Sequence, residues 1–187
     1  MNSEGSWLLK FHAATSSLKS QERTGWRLRG VREPESVADH SLALAVLSCV
    51  LAAARGLDPG RAAIIAVLHD LPEAFTGDLT PEEKEAIGKE KLCEMEDFAL
   101  EGLLNHAPSE VRSLLVDALK DYRYGISPEA RLVRDLDKLE MVLQAIEYSD
   151  ELGPEGVKEF VESALRGLND KDISTLIGEL LRDRRST

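Results

Sequence analysis

Two histidines and two aspartates carry the chemistry that this sequence indicates most clearly. His40, His69, Asp70 and Asp137 follow the pattern H…HD…D, with the central pair adjacent in the chain. Imidazole nitrogens and carboxylate oxygens together suit a borderline or hard divalent metal ion rather than a soft ion that prefers thiolates. Such an ion lowers the pKa of a bound water from about 15.7 toward about 7 and so provides a nucleophile at neutral pH. The pattern therefore predicts a metal-dependent hydrolase.

Helical periodicity predicts that these side chains face buried surface. His40 is in line with Leu44 and Leu51 on a predicted helix over residues 36–55. Asp137 lies one turn from apolar residues on either side, and a buried carboxylate is costly unless an opposite charge or a metal ion compensates it. Taken singly, each histidine could be a core residue and each aspartate a cap or ion-pair partner. Their recurrence on three predicted helices favours the metal site.

The segment after the adjacent His-Asp pair holds two further acidic residues. Pro72 and Gly77 interrupt the helix, so Glu73 and Asp78 are predicted on an irregular segment beside the metal. Glu73 is the first candidate for general acid or base, and Asp78 could share that role. The alternative places Glu73 on the surface as a solvated acid and Asp78 in a Gly-Asp turn.

A short basic segment lies upstream in a chain that is otherwise acidic. Arg23, Arg27, Arg29 and Arg32 fall within ten residues, whereas the net charge of the whole chain is −11. A local cluster of this kind suits an anionic substrate. The alternative is a solvated basic surface on which Trp26 serves as a packing anchor.

Four motifs, in this order, resemble those of the HD-domain phosphohydrolases and, within them, of the 5'-deoxynucleotidase (YfbR-type) branch. The motifs are RTGW at 23–26, ESVADHS at 35–41, HDLPEAFTGD at 69–78 and DLDKL at 135–139. They span residues 10–150 approximately. H…HD…D alone is typical of the whole superfamily, whereas HDxxExxTGD with an upstream ESVxDH is considerably more specific.

This resemblance implies hydrolysis of a deoxyribonucleoside 5'-monophosphate to deoxynucleoside and phosphate through a metal-activated water. It implies one divalent metal ion, cobalt or manganese first, with magnesium and zinc as further candidates, and a homodimer. The residue roles that it implies are metal ligation by His40, His69, Asp70 and Asp137, catalysis by Glu73 and Asp78, and substrate contact by Arg23 and Trp26. Two alternatives remain: another HD-type hydrolase acting on a triphosphate, a cyclic dinucleotide or a guanosine polyphosphate, and a noncatalytic nucleotide-sensing module.

Composition excludes several other classes of protein. The strong negative charge disfavours nonspecific binding to nucleic acid or to acidic membranes. No run of about 18 apolar residues and no signal-peptide pattern occurs, so we expect a cytoplasmic protein. Cys49 and Cys93 do not suggest a disulfide framework.

The same sequence predicts an all-α fold, a single HD-domain helical bundle of about seven to nine helices over residues 1–187. Helix starts are indicated at Asp58-Pro59, at Thr80-Pro81 and at Ser127-Pro128, with one helix running from residue 80 to about 105. Gly153-Pro154 marks the end of the family-like core. The apolar pattern of residues 155–184 predicts two amphipathic helices that pack on the core or at a dimer interface.

Overall fold

The computed structural model describes the backbone of residues 3–183 and the side chains of residues 5–182. Over that range the chain forms eleven helices, and its only strand-like pairing is an isolated bridge between Glu22 and Ser36. The helices are α1 (Ser3–Ser20), α2 (Thr24–Leu28), α3 (Val37–Ala54), α4 (Pro59–Leu68), α5 (Glu73–Thr76), α6 (Pro81–Ile87), α7 (Lys89–Leu104), α8 (Ser109–Tyr124), α9 (Pro128–Glu147), α10 (Ser149–Gly167) and α11 (Lys171–Asp183). The all-α prediction is confirmed, but the number of helices exceeds the seven to nine predicted.

Three of the extra boundaries have local causes. Gly88 adopts φ 83°, a backbone conformation that favours glycine, and it divides the helix predicted over residues 80–105 into α6 and α7. The single-turn helices α2 and α5 were not predicted, because one turn is too short to show apolar periodicity. Glu73 consequently begins α5, whereas the sequence analysis placed it on an irregular segment.

Side-chain caps fix the starts of the helices that carry the site. Ser36 and Asp39 form a reciprocal capping box at the start of α3, and Thr80 forms one with Glu83 at the start of α6. Ser127 accepts a hydrogen bond from the backbone of α9, whose first residue is Pro128. The predicted helix starts are therefore confirmed, and they set the register in which His40 and Asp137 face inward.

The main hydrophobic core lies between α3, α4 and α9. Leu44, Ile65 and Leu136 are each at most 1% exposed within it. The two C-terminal helices join the same cluster through Val161 of α10 and Ile177 of α11. Gly153, at φ 65°, allows the chain to bend inside α10 rather than ending the packed structure there.

Helix α3 is strongly apolar along its whole length. Its 18 residues have a mean hydropathy of 1.8, which by length and composition alone would suffice to cross a membrane. One third of that window is buried in the fold, including His40, Ser41 and Ser48. Polar groups held inside the protein in this way identify α3 as a core helix that also has an apolar outer face.

Candidate metal centre

Three of the predicted ligands come together from three different helices or helix ends. His40 of α3, His69 at the end of α4 and Asp137 of α9 place one nitrogen or oxygen atom each within 4.8 Å of the others. His40 Nε2 lies 3.2 Å from Asp137 Oδ1, and the His40 imidazole is fully buried. The packing of α3, α4 and α9 around one core is what brings residues almost 100 positions apart into this cluster.

Asp70, the fourth predicted ligand, lies at the edge of the cluster. Its Oδ2 is 3.0 Å from His69 Nε2 and 3.9 Å from His40 Nε2. Arg23 Nη1 lies 3.3 Å from the same oxygen. One carboxylate oxygen is therefore shared between the two imidazoles and the guanidinium group.

The arrangement of nitrogen and oxygen atoms fits a divalent metal ion. His69 Nδ1 donates to the Ala66 carbonyl at 2.6 Å, which leaves Nε2 as the nitrogen that faces the cluster. His40 Nε2 is buried with no hydrogen-bond partner, because Asp137 lies close to it but outside hydrogen-bond geometry. Two imidazoles and two carboxylates are the ligand set predicted from the sequence, and a buried nitrogen without a partner is the group that a metal ion would satisfy.

The electrostatics of the cluster favour ionised carboxylates. Burial acts to raise the pKa of Asp70, but His69 and Arg23 outweigh it and hold that pKa below its ordinary value. The pKa of Asp137 is lowered in the same way, since His40 outweighs the effect of burial. Both carboxylates are thus ready to bind a cation at neutral pH.

His40 must lose a proton before it can act as a ligand. Burial and Arg23 act to lower its pKa, yet contacts with Asp137 and Glu140 outweigh them and raise the pKa to about 10. An imidazole binds a metal ion only through a deprotonated nitrogen, so metal uptake at this cluster is coupled to proton release.

Glu73 lies beside the cluster and is mostly buried. Its Oε1 accepts a hydrogen bond from Lys84 Nζ of α6 at 3.3 Å, while its Oε2 is buried with no hydrogen-bond partner. Burial, and secondly the charge of Asp70, raise the pKa of Glu73 well above its ordinary value, whereas Lys84 acts to lower it. One oxygen is thus anchored and the other is left to interact with a further group.

Asp78 has a clear structural contact in addition to its place near the site. Its Oδ2 accepts from the backbone N–H of Thr24 at 2.5 Å, and its carbonyl accepts from the Thr24 hydroxyl at 2.7 Å. These two bonds tie the loop after α5 to the start of α2. The residue that they hold in place is Arg23, immediately before Thr24.

Of the four arginines in the basic segment, one contacts the cluster and three do not. The Arg23 side chain is 18% exposed and contacts Asp70, whereas the side chains of Arg27 and Arg32 are 73% and 86% exposed. Arg29 pairs with Glu159 and lies over the Phe160 ring. Of this segment, Arg23 is the cation directed at the cluster.

Trp26 is a packing residue at the border of the site. It is 2% exposed, its ring centroid lies 4.2 Å from that of Phe160, and its indole N–H donates to Glu35 at 2.9 Å. The packing role was the alternative considered in the sequence analysis. Trp26 also lines a cavity at the cluster, so its position allows both packing and substrate contact.

A cavity of about 710 Å³ opens onto the cluster. Arg23, His69, Glu73 and Asp137 line it, together with residues of α10 that include Arg166. Its volume is within the range of about 300–1,000 Å³ that is usual for small-molecule sites. Residues beyond the predicted family-like core therefore help to enclose the site.

Sequence reasoning missed four polar residues that surround the predicted ones. They are Glu35, Lys84, Tyr122 and Glu140. Tyr122 donates to Asp137 Oδ2 at 2.9 Å, and Glu140 contacts His40. A signal existed for Glu140, since it lies three residues after Asp137 on the buried face of α9, where a charged residue requires a partner. The other contacts depend on tertiary packing and leave no periodic signal.

Glu35→Gln is expected to remove part of the pH dependence of folding stability. Burial, and secondly Glu140, raise the pKa of Glu35 from 4.5 to about 7. Since the folded state holds this proton more tightly, the associated stability is full below about pH 4.5 and is lost as the pH rises through about 7. Glutamine does not ionise, so the variant should gain on the order of 2 kcal/mol relative to wild type between about pH 5 and about pH 8.

Urea unfolding in the presence of a chelator, at both pH values, measures this difference. Glu33→Gln, at an exposed position two residues earlier, is the matched control and should give the same difference from wild type at both pH values. A pH-independent effect of Glu35→Gln would contradict the prediction.

Comparison with known proteins identifies relatives that align with nearly the whole chain. A family model described as "HD domain" matches residues 15–175. The 5'-deoxynucleotidase HDDC2 of Homo sapiens is 35% identical over 178 residues, which cover 95% of this chain and 86% of the relative. The protein of the same name from Xenopus laevis is 33% identical over 186 residues, covering 99% of this chain and 91% of the relative.

The fold is shared with solved structures of similar size. A conserved hypothetical protein from Pyrococcus furiosus superposes with a TM-score of 0.74 at 31% identity, covering 93% of this chain and 99% of that one. The helical architecture, the H…HD…D cluster and the domain match define an HD-domain protein. The chain belongs to the HD-domain 5'-deoxynucleotidase family.

Proposed function

We propose that this protein is a metal-dependent phosphomonoesterase that hydrolyses deoxyribonucleoside 5'-monophosphates to deoxynucleoside and phosphate. The observation that carries the proposal is the meeting of His40, His69 and Asp137 beside the buried carboxylate of Glu73. The cavity at this point can contain a molecule of nucleotide size. The relatives from Homo sapiens and Xenopus laevis, both named 5'-deoxynucleotidase, support the same reaction.

We propose His40, His69, Asp70 and Asp137 as the residues that hold one divalent metal ion, with cobalt and manganese as the first candidates. The mixed nitrogen and oxygen atoms and the ionised state of both aspartates support this assignment. When bound, such an ion supplies positive charge to the phosphoryl oxygens and lowers the pKa of water.

Glu73 is the proposed general base. Lys84 anchors Oε1, which leaves the unpartnered Oε2 to orient the attacking water and to accept its proton. The water oxygen then forms a bond to phosphorus as the bond between phosphorus and the 5'-oxygen breaks, and the leaving oxygen takes up a proton. Asp78, which lines the same cavity, is the proposed second carboxylate near the water and also holds Arg23 in position through Thr24.

Arg23 is the proposed phosphate contact, and Trp26 the proposed neighbour of the sugar or base. Arg23 reaches the cluster from α2, and its pKa is raised because the surrounding carboxylates outweigh burial, so it remains a cation. Its Nη1 contacts Asp70, which leaves other guanidinium donors for an anionic ligand. Trp26 lines the cavity from the same segment.

The test is phosphate release from a panel of deoxyribonucleoside and ribonucleoside 5'-monophosphates and the corresponding triphosphates. Metal-free protein is supplied in turn with cobalt, manganese, magnesium or zinc. Metal-dependent release from the deoxyribonucleoside monophosphates alone is the expected result. Release from triphosphates alone would assign a different HD-type hydrolysis, and no release with any metal would assign a noncatalytic nucleotide-binding role.

A small-molecule partner and a cytoplasmic location complete the proposed function. The net charge of −11 does not suit binding to a nucleic-acid backbone or to an acidic membrane surface. Arg23, held inside the acidic chain, is suited to a small anion that enters the cavity.

We further propose a homodimer that forms through the outer face of α3. Leu42, Val46 and Val50 follow one another at intervals of four residues and are 63%, 55% and 59% exposed. Asp39 and His40, both in the first turn, are the ionisable residues of this helix apart from Cys49, so its outer face beyond that turn has no ionic charge. Two strongly acidic copies can approach there without direct repulsion, and association would bury the exposed apolar stripe.

Val46→Asp is expected to convert this dimer to a monomer, because the substitution places two like charges in an apolar contact. Light scattering after gel filtration measures the mass of each variant. Leu114→Asp, at an apolar residue of α8 that is 48% exposed outside this face, is the control and should retain the dimer mass. A wild-type mass equal to one chain would contradict the proposal.

A further inference from the structure

A buried carboxylate lies directly behind one of the proposed metal ligands. Glu140 Oε2 is 2.6 Å from His40 Nδ1, and the two side chains are 5% and 0% exposed. They come from α9 and α3, and their positions are 100 residues apart in the chain. A short contact between fully buried polar groups is retained only if it satisfies both of them.

The direction of this hydrogen bond determines which nitrogen of His40 faces the cluster as a lone pair. A carboxylate accepts, so Nδ1 carries the hydrogen atom and Nε2 is the nitrogen available to a metal ion. In the same centre, His69 Nδ1 donates to the Ala66 carbonyl at 2.6 Å. Both histidines thus have the same tautomer, but the backbone sets it for His69 and a side chain sets it for His40.

We infer that Glu140 is a positioning residue that fixes the tautomer and ring orientation of His40 for metal binding. The inference rests on the proposed metal site. It adds Glu140, which contacts His40 Nδ1 and is not among the residues that line the cavity. Carboxylates placed behind metal-bound histidines typically contribute 10- to 100-fold in metal affinity.

A second carboxylate connects Glu140 to the wall of the cavity. Glu35, Glu140 and His40 place one atom each within 4.8 Å of one another. Glu35 accepts the Trp26 indole N–H at 2.9 Å, and its own backbone N–H donates to the Tyr148 hydroxyl at 2.7 Å. The side chains of Trp26, Glu35, Glu140 and His40 therefore lie next to one another between the cavity wall and the metal centre.

The inferred tautomer of His40 is incompatible with a second metal site in this group of three. A metal ion among Glu35, His40 and Glu140 would need the lone pair of His40 Nδ1, and the hydrogen bond to Glu140 requires a hydrogen atom on that nitrogen. Metal content therefore distinguishes the two roles: positioning by Glu140 corresponds to one ion per chain, and a second site would correspond to two.

Glu140→Gln tests the inference, because glutamine has nearly the same volume but neither the charge nor a purely accepting terminus. The dissociation constant for manganese, measured by competition with a chromophoric chelator, is expected to increase about 10- to 100-fold. Glu147→Gln, at an exposed position on the same helix, is the control and should leave the constant at the wild-type value. An unchanged constant for a folded Glu140→Gln protein would overturn the inference.

A measurement on the wild-type protein covers the case in which Glu140→Gln does not fold. Two-bond 1H–15N correlation spectra of the zinc-loaded protein report which imidazole nitrogen carries hydrogen, and His40 is expected to be protonated at Nδ1. Protonation at Nε2, or two zinc ions per chain, would overturn the inference. Both readouts are independent of substrate, so a failure of the proposed 5'-monophosphate reaction would leave them unaffected.

Discussion

Glu73→Ala is expected to lower kcat about 100-fold or more while the protein retains its metal ion. The physical reason is that Glu73 supplies the buried oxygen without a hydrogen-bond partner next to the cluster, yet is not itself part of the ligand group formed by His40, His69 and Asp137. Removing it deletes the proposed general base. The atoms that bind the metal ion stay in place.

Steady-state kinetics on a deoxyribonucleoside 5'-monophosphate, together with the metal content of the same sample, measures both parts of this result. Glu82→Ala is the matched control, since Glu82 is an exposed glutamate that lines the same cavity. This variant should turn over substrate near the wild-type rate. A Glu73→Ala enzyme with wild-type kcat would show that another group handles the proton. Loss of metal from this variant would instead show that Glu73 is a ligand.

Lys84 partly offsets the burial that raises the pKa of Glu73 well above its ordinary value. The carboxylate is disfavoured by burial and by Asp70, and the Lys84 ammonium group at 3.3 Å acts against both. Lys84 is on α6, after the capping box of Thr80 and Glu83, so a helix start sets the position of the cation. Nothing in the spacing of the sequence connects Lys84 to Glu73, because the loop between α5 and α6 determines their approach.

The sequence allowed the helices that carry the ligands to be predicted in detail. Apolar residues one and three turns beyond His40 indicated the inward face of α3, which was predicted over residues 36–55. The same reasoning held for Asp137 on α9, where Ser127 and Pro128 mark the first turn. Periodicity and capping are local properties, and the sequence displays them directly.

Contacts between helices were predicted much less well. Glu140 was not identified although it lies on the same face as Asp137, because only packing of α9 against α3 shows that its partner is His40. Gly88 was read as part of one long helix, since a single glycine is tolerated inside a helical pattern and its positive φ depends on the surrounding structure. Tertiary geometry therefore added the partners of the site, whereas the motif supplied its proposed ligands.

Asp137→Ala is expected to remove metal and activity together, in contrast to Glu73→Ala. Asp137 is fixed from two sides, with Oδ2 accepting from Tyr122 and Oδ1 lying 3.2 Å from His40 Nε2, so its loss removes an oriented negative charge from the centre. Metal affinity should fall by more than about 100-fold, beyond the 10- to 100-fold that is typical for residues behind the ligands. His69→Ala should behave in the same way.

Metal content after dialysis, measured beside kcat and the thermal midpoint, separates this outcome from simple unfolding. Glu147→Ala, at an exposed position on the same helix α9, should keep both metal and turnover. A folded Asp137→Ala protein that retains one metal ion would show that His40, His69 and Asp70 suffice as ligands. If metal is retained and turnover is lost, Asp137 has a role in the reaction itself. Measuring metal content and kcat together therefore distinguishes a ligand from a residue that acts in the reaction.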